Sequence, residues 1–165
     1  MRSLPGKTGK EKTLKRFAVW ILIPSVFILD RLSKIWVLAH LKEGEGFPVW
    51  PGFFHITRVN NTGAAFGLWR HASVFLVGVT VLSVLAIATY LALGLRKGRA
   101  RNFYGWALVM GGALGNLYDR VHFGYVIDYL DFRVWPVFNA ADTAICLGVF
   151  WVLWRVLRKN APHTS

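Results

Sequence analysis

Residues 72–95 form an apolar run without a single charged side chain, and this run limits what the chain can fold into. A helix needs about 20 predominantly apolar residues to cross the hydrocarbon core of a bilayer. The rest of the sequence has a similar character, because only 17% of all residues are charged, whereas soluble domains contain about 25%. We therefore predict an integral membrane protein.

Three other apolar stretches complete an all-α membrane fold with four predicted transmembrane helices. The first stretch follows basic residues, as the apolar core of a signal peptide does. No small-residue cleavage site comes after it, so we interpret it as an uncleaved span. The spans form one domain, 17–157, between a basic tail at 1–16 and a short tail at 158–165. The four spans cover residues 17–38, 72–95, 102–121 and 142–157.

Lys and Arg residues are distributed unequally between the two sides of this predicted bundle. Thirteen lie within residues 2–16, 96–101 and 155–159, whereas five lie on the opposite side. The positive-inside rule therefore predicts cytoplasmic termini and outward-facing connections at 39–71 and 121–141. Part of the first connection, residues 47–59, combines aromatic and β-branched residues with Pro and Gly, which predicts a small extracytoplasmic β element at the membrane surface.

Several functional classes find no support in the sequence. The net charge of +12 lies at segment ends rather than on a recognition element, so we expect no nucleic acid partner. The five His residues are scattered and Cys146 is the single cysteine, which leaves a metal site and an intrachain disulfide unsupported. The sequence contains neither a GxSxG motif nor a Cys–His pair, so it gives no support for a covalent nucleophile. Aspartate chemistry, without a metal or organic cofactor, is what the chain offers.

Two aspartates, Asp128 and Asp142, lie near the outer ends of predicted spans among small and amide residues. Asp142 precedes Arg155 by 13 residues, or about 20 Å of helix, which places it just below the outer surface of a hydrocarbon core about 30 Å thick. Two carboxylates at one level could share a proton and activate water. The alternative for Asp142 is an N-cap of the following helix, and the two roles are compatible.

The densest motif covers residues 110–120 of the third span. Gly111 and Gly115 form a GxxxG pattern, which lets helices approach closely. Asn116 and Arg120 are separated by four residues, so both could face one ligand, and Asp119 could orient Arg120. The alternative is a packing seam that ends in an Arg reaching toward the interface.

Two further places in the chain contain candidate site residues. Asp30 and Lys34 lie four residues apart near the outer end of the first span, where the plainer interpretation is a structural ion pair. Asn61 and Gly63 belong to a predicted turn before the second span. Asn61 could cap the next helix, or it could offer its amide to a peptide backbone.

In combination, these segments resemble the lipoprotein signal peptidases, also called signal peptidase II. The resemblance covers about residues 17–157, and its specificity comes from the order of the motifs along four spans. The matching segments are Asp30-Arg31-Leu32-Ser33-Lys34, Asn61-Thr62-Gly63-Ala64-Ala65-Phe66, Gly111-Gly112-Ala113-Leu114-Gly115-Asn116-Leu117-Tyr118-Asp119-Arg120, Gly124-Tyr125-Val126-Ile127-Asp128 and Phe138-Asn139-Ala140-Ala141-Asp142.

The resemblance implies a bacterial inner-membrane aspartic endopeptidase that cleaves prolipoproteins before a diacylglyceryl-modified cysteine and is inhibited by globomycin. It implies that Asp128 and Asp142 are the catalytic pair. Tyr129 and Thr143 stand where the family more usually has Phe and Ser, and the stretch 128–142 is rather short. The remaining site residues that it implies, lining or shaping the site, are Asn61, Gly63, Asn116, Arg120, Asn139, Asp30, Lys34 and Asp119.

A second interpretation from another class is a small transporter or channel subunit in which aspartates form an ion or proton relay. A relay requires polar residues through the bilayer centre, whereas the predicted second span has none that is charged. A scaffold protein that pairs through GxxxG is a third interpretation, and it gives no reason for two carboxylates at one level.

Overall fold

The computed structural model describes residues 9–63, 72–96 and 103–160, and it is mostly helical with a small sheet. Four stretches lie outside the described residues: positions 1–8 of the predicted tail 1–16, positions 161–165 of the predicted tail 158–165, positions 64–71 of the first outer connection, and the basic connection 97–102. In chain order the elements are α1 (Gly9–His40), β1 (Gly46–Trp50), β2 (Phe54–Asn61), α2 (Ala72–Arg96), α3 (Phe103–Phe123), β3 (Val126–Asp131) and α4 (Ala140–Asn160).

Helix α3 is the centre of the helical part and packs against α1, α2 and α4. Its glycines allow this, because a Cβ added at Gly111 would lie 2.7 Å from the Cβ of Val26 in α1. Similarly, a Cβ at Gly112 would meet the backbone oxygen of Ala141 in α4. A Cβ at Gly115, the second glycine of the GxxxG motif, would meet Asp30 of α1, so the motif lies at a close helix contact.

Apolar side chains cover the outside of the helices as well as their interior. Val74 of α2 and Phe150 of α4 are 71% and 68% exposed. Two helical stretches, Val74–Arg96 and Ala140–Arg158, are long and apolar enough to cross a membrane. Only 11% of the most apolar window in the first of these is buried inside the protein. Such a surface is suited to hydrocarbon rather than to water.

The three strands form one antiparallel sheet in the order β1-β2-β3. The predicted β element of the first outer connection is thus present as β1 and β2, whereas the third strand, from the connection after α3, was not predicted. Gly124, with a φ of 79°, makes the turn from α3 into β3. Beyond β3, the backbone of Phe138 bonds to Leu130 and Tyr129, which leads the chain directly into α4.

The register of the sheet brings the first outer connection to Asp128. Val59 pairs with Asp128, and Asn61 pairs with Val126 two residues away. Residues two apart on a strand lie on the same face, so Asn61 is a diagonal neighbour of Asp128. The pairing therefore joins two residues that are far apart in the sequence.

Candidate active site

Asp128 is buried in β3, and both of its carboxylate oxygens accept hydrogen bonds from amide side chains. Asn139 donates to Oδ1 at 2.7 Å, and Asn61 donates to Oδ2 at 2.8 Å. Burial raises the pKa of Asp128 from its ordinary 3.8 to about 6, with a smaller upward contribution from the charge of Asp142, and the two amide bonds oppose that shift. Asp128 can therefore exchange a proton close to neutral pH.

Asp142 lies in the first turn of α4, but it is not the N-cap, so that alternative was wrong. The cap is Asn139, whose Oδ1 accepts from the backbone N–H of Asp142 at 2.9 Å. Oδ2 of Asp142 accepts in return from the backbone N–H of Asn139 at 3.2 Å. This is a capping box, with Asp in the position where Glu is usual. The box ties the position of Asp142 to the start of its own helix.

Asn116 of α3 connects Asp142 to the rest of the site. Its Nδ2 donates to Oδ1 of Asp142 at 2.7 Å. Its Oδ1 accepts from Lys34 at 3.0 Å and from Asn139 at 3.1 Å. The ammonium of Lys34 has donors only, so it requires the oxygen of Asn116 on its side and turns the amide nitrogen toward Asp142. The amide orientation of Asn116 is thus fixed by its neighbours.

Lys34 is fully buried, and three acceptors surround its ammonium group. Besides Asn116, these are Asp30 at 2.9 Å and Asp119 at 2.7 Å. Arg31 completes the charge balance through contacts of 2.7 Å with Asp119 and 3.7 Å with Asp30. Two carboxylates therefore face two cations, so the burial of four charges leaves no net charge. We call Asp30, Arg31, Lys34 and Asp119 the charge cluster.

The charge cluster also accepts hydrogen bonds from the backbone of α4, which carries Asp142, and of β3, which carries Asp128. Oδ1 of Asp30 accepts from the backbone N–H of Ala141 at 3.1 Å, at the start of α4. Oδ2 of Asp119 accepts from the backbone N–H of Ile127 at 3.2 Å, in β3. The cluster thus holds the residue before Asp142 and the residue before Asp128.

Arg120 and Gly63 take part in different ways. Arg120 is partly buried, and the negative charges of Asp142, Asp128 and Asp119 attract its guanidinium. Gly63 has a φ of +74° and donates its N–H to Oδ1 of Asn61 at 2.9 Å. That bond forms a tight Asx-type turn, and it leaves the amide nitrogen of Asn61 facing Asp128.

The structure thus brings the ten predicted site residues into one region, nine of them through hydrogen bonds or ion pairs and Arg120 through its charge. Arg31, Ser33 and Tyr129 also belong to the region and were not selected from the sequence. For Arg31 a signal existed, because it is a further charge at the end of an apolar span. Within the described ranges, no three His, Cys, Asp or Glu side chains are arranged to hold a metal ion.

Comparison with known proteins agrees with this geometry. Residues 22–158 match the family described as signal peptidase (SPase) II. The chain belongs to the signal peptidase II family. The lipoprotein signal peptidase of Moorella thermoacetica is 47% identical over 133 residues, which are 80% of this chain and 87% of that protein. The lipoprotein signal peptidase of Pelotomaculum thermopropionicum is 44% identical over 145 residues, covering 86% of this chain and 93% of the relative.

Solved structures give the same result for the fold. Two structures described as bacterial membrane enzymes superpose with TM-scores of 0.77 and 0.78 at 27% and 28% identity. The alignments cover 90% and 86% of this chain and 93% of each structure. Signal peptidase II is a family of aspartic peptidases of bacterial membranes, so the predicted enzyme class is confirmed.

Proposed function

We propose that this chain removes signal peptides from diacylglyceryl-modified prolipoproteins, cleaving before the lipidated cysteine with Asp128 and Asp142 as the catalytic pair. One observation carries the residue assignment. The carboxylates of Asp128 and Asp142 are linked through Asn139, which bonds to both of them. The two acids therefore belong to one hydrogen-bonded unit, as acid–base catalysis on a single water requires.

The surroundings of the two acids support different roles for them. Oδ1 of Asp142 accepts a hydrogen bond from Asn116, and its Oδ2 accepts one from the backbone N–H of Asn139. Asp128 is buried, and its pKa of about 6 favours a bound proton more than an ordinary carboxyl does. We therefore assign Asp142 as the general base and Asp128 as the general acid.

The proposed reaction follows from these roles. Asp142 takes a proton from water while the water oxygen attacks the carbon of the scissile carbonyl, and Asp128 gives its proton to the carbonyl oxygen. The resulting tetrahedral diol collapses, the C–N bond breaks, and the proton from Asp142 passes to the leaving amine. One of the two hydroxyl protons of the diol returns to Asp128, so both aspartates regain their starting protonation.

Other polar residues of the site have supporting roles in this proposal. Arg120 and Asn61 border the acids, where a guanidinium and an amide can hold backbone carbonyls of the substrate. Gly63 fixes Asn61 in its turn. The charge cluster holds Asn116, and Asn116 holds Asp142. In this way the buried ions fix the geometry without contacting the substrate.

The membrane arrangement that we propose has four spans, cytoplasmic termini and the site near the outer face. Support comes from the position of the polar groups, because Asp142 lies in the first turn of α4 and Asp119 in the last turns of α3. Trp50, Phe53 and Trp135 are exposed on the sheet and its adjoining connection, as aromatic residues are at a membrane interface. Membrane lipid and globomycin-type peptides are the further ligands expected here.

The relay interpretation is not favoured by the distribution of buried polar groups. Among the residues that the structure describes, the buried polar and charged side chains all belong to the sheet end of the protein. They are Asp30, Lys34, Asn116, Asp119, Asp128, Asp131 and Asn139. A path across the bilayer would need such groups along the helices.

The test is a gel-shift cleavage assay with a diacylglyceryl-modified prolipoprotein and purified enzyme in detergent. Asp128→Asn and Asp142→Asn are expected to fold and to lose cleavage. Asp131→Asn is the matched control, because Asp131 lies on the same strand but bonds to Thr57 and Arg133, and it should keep activity. Near-normal turnover by either of the first two variants would refute the pair, and a folded wild type without cleavage would refute the peptidase assignment.

A further inference from the structure

Tyr129 follows Asp128 in β3, and its side chain lies on the opposite face of the strand. The side chain is buried, and its hydroxyl donates to Oγ of Ser33 in α1 at 2.7 Å. Ser33 in turn donates to the backbone oxygen of Asp30 at 2.9 Å. The two hydroxyls thus form a chain of hydrogen bonds from β3 to α1, the helix that contributes Asp30, Arg31 and Lys34 to the charge cluster.

The same side chain also lies beside the start of α4, because Ala140 packs against the buried cluster of Val37, Ile127 and Tyr129. The next two N–H groups of that helix are held by Asp30 and by Asn139. The first N–H groups of a helix have no partner inside the helix and require acceptors from outside. Here Asp30 of α1 and the cap Asn139 supply one acceptor each.

We propose that Tyr129 is a positioning residue, whose hydroxyl fixes the placement of Asp128 relative to Asp142 by joining β3 to the part of α1 that holds the first turn of α4. This inference rests on the proposed catalytic pair. One catalytic carboxylate lies one residue before Tyr129, and the other lies two residues after Ala140. The Tyr129–Ser33 bond links β3 to α1, and Asp30 of α1 accepts from Ala141, so the two elements that carry the acids are coupled through α1.

The geometry predicts a selective effect when the hydroxyl is removed. The phenyl ring of a Tyr129→Phe variant keeps its apolar contacts, so the sheet and the core around Val37 and Ile127 stay packed. The acids lose one restraint on their relative position, and such a loss acts on the chemical step rather than on substrate binding. A fall in kcat of about fivefold, with KM unchanged, corresponds to the net value of one neutral hydrogen bond.

The experiment is a double-mutant cycle in the prolipoprotein cleavage assay with Tyr129→Phe, Ser33→Ala and the double variant, all as full-length enzyme. Each single variant should lower kcat by a similar factor, and the double variant should be no slower than the singles, because one shared bond is lost. Tyr125→Phe, which removes a neighbouring tyrosine hydroxyl outside this network, is the matched control and should keep kcat.

The outcomes separate positioning from a structural role. Unchanged kcat in Tyr129→Phe with a lowered thermal midpoint would make the hydroxyl merely structural and overturn the inference, and so would additive losses in the cycle. Ser33→Ala removes the same bond without altering β3, so the test stands even where Tyr129→Phe folds poorly. Retained activity in Asp128→Asn, measured alongside, would instead refute the catalytic pair itself.

Discussion

Replacing Lys34 by Met is expected to destabilise the enzyme through charge imbalance rather than through lost packing. Lys34 is fully buried, and its ammonium contacts Asp30 and Asp119 at 2.9 and 2.7 Å. Met has a similar length and fills the same space. In Lys34→Met, however, two buried carboxylates would face one cation, Arg31. Breaking a buried ion pair by removing one partner costs about 3–5 kcal/mol.

A second substitution should restore much of that loss. In Lys34→Met/Asp30→Asn, the remaining pair is Arg31 and Asp119 at 2.7 Å, so the charges balance again. An Asn at position 30 can still accept from the N–H of Ala141 with its oxygen, as Asp30 does at 3.1 Å. We therefore expect the double variant to be more stable than Lys34→Met, although it has lost one more native group.

Thermal unfolding in detergent, followed by loss of the monodisperse peak in size-exclusion chromatography, measures the effect. For a chain of this size about 1 kcal/mol corresponds to roughly 2–4 °C, so Lys34→Met should unfold at least about 6 °C below wild type. The double variant should recover about half of the difference. A Lys34→Met enzyme as stable as wild type, or a double variant less stable than the single, would refute the charge-balance argument.

Three further predictions concern proton binding, helix packing and the membrane surface. The pKa of Asp128 is raised from 3.8 to about 6, so the protonated form of Asp128 favours the folded state. The free energy of unfolding of wild type should therefore fall by up to about 3 kcal/mol between pH 4 and pH 7, whereas that of Asp128→Asn should not. The same pH dependence for both proteins in chemical unfolding would contradict this. Gly115→Ala should lower the thermal midpoint and cleavage, since its Cβ would meet Oδ2 of Asp30. Gly78→Ala in α2, where a Cβ meets nothing within 4 Å, is the control and should be neutral or stabilising. Equal thermal midpoints of Gly115→Ala and Gly78→Ala would argue against a close helix contact at Gly115. Trp50→Ser and Phe53→Ser, at the exposed tip of the hairpin, should raise KM and leave expression unchanged; unaltered kinetics in vesicles would exclude a role for this tip.

Much of the helical architecture follows from the sequence, because burial in a bilayer needs only composition and length. The uncharged run at 72–95 corresponds to α2, Ala72–Arg96. The hairpin was predictable from the Pro and Gly residues at 47–59, whereas β3 was not. Its residues Val126–Asp131 are short, and their strand conformation depends on pairing with β2. Pairing between distant segments leaves no local pattern to recognise.

The site was predicted from its residue types, but the sequence could not show how those residues connect. The i, i+4 spacing predicted the ion pair of Asp30 with Lys34, and the structure has it at 2.9 Å. The spacing did not show that Lys34 also contacts Asp119, which is contributed by another helix. Similarly, an N-cap was the alternative role considered for Asp142, because the sequence does not show that Asn139, three residues earlier, caps the helix.

The sequence by itself determined that this chain enters a membrane, because a run of apolar residues is unfavourable in water whatever its neighbours are. It also determined that aspartate is the available catalytic chemistry. Only the tertiary structure decided which aspartates bond to Asn139 and which neutralise buried cations. Both properties depend on distances of about 3 Å between α1, α3, β3 and α4, and such distances arise when these segments pack together.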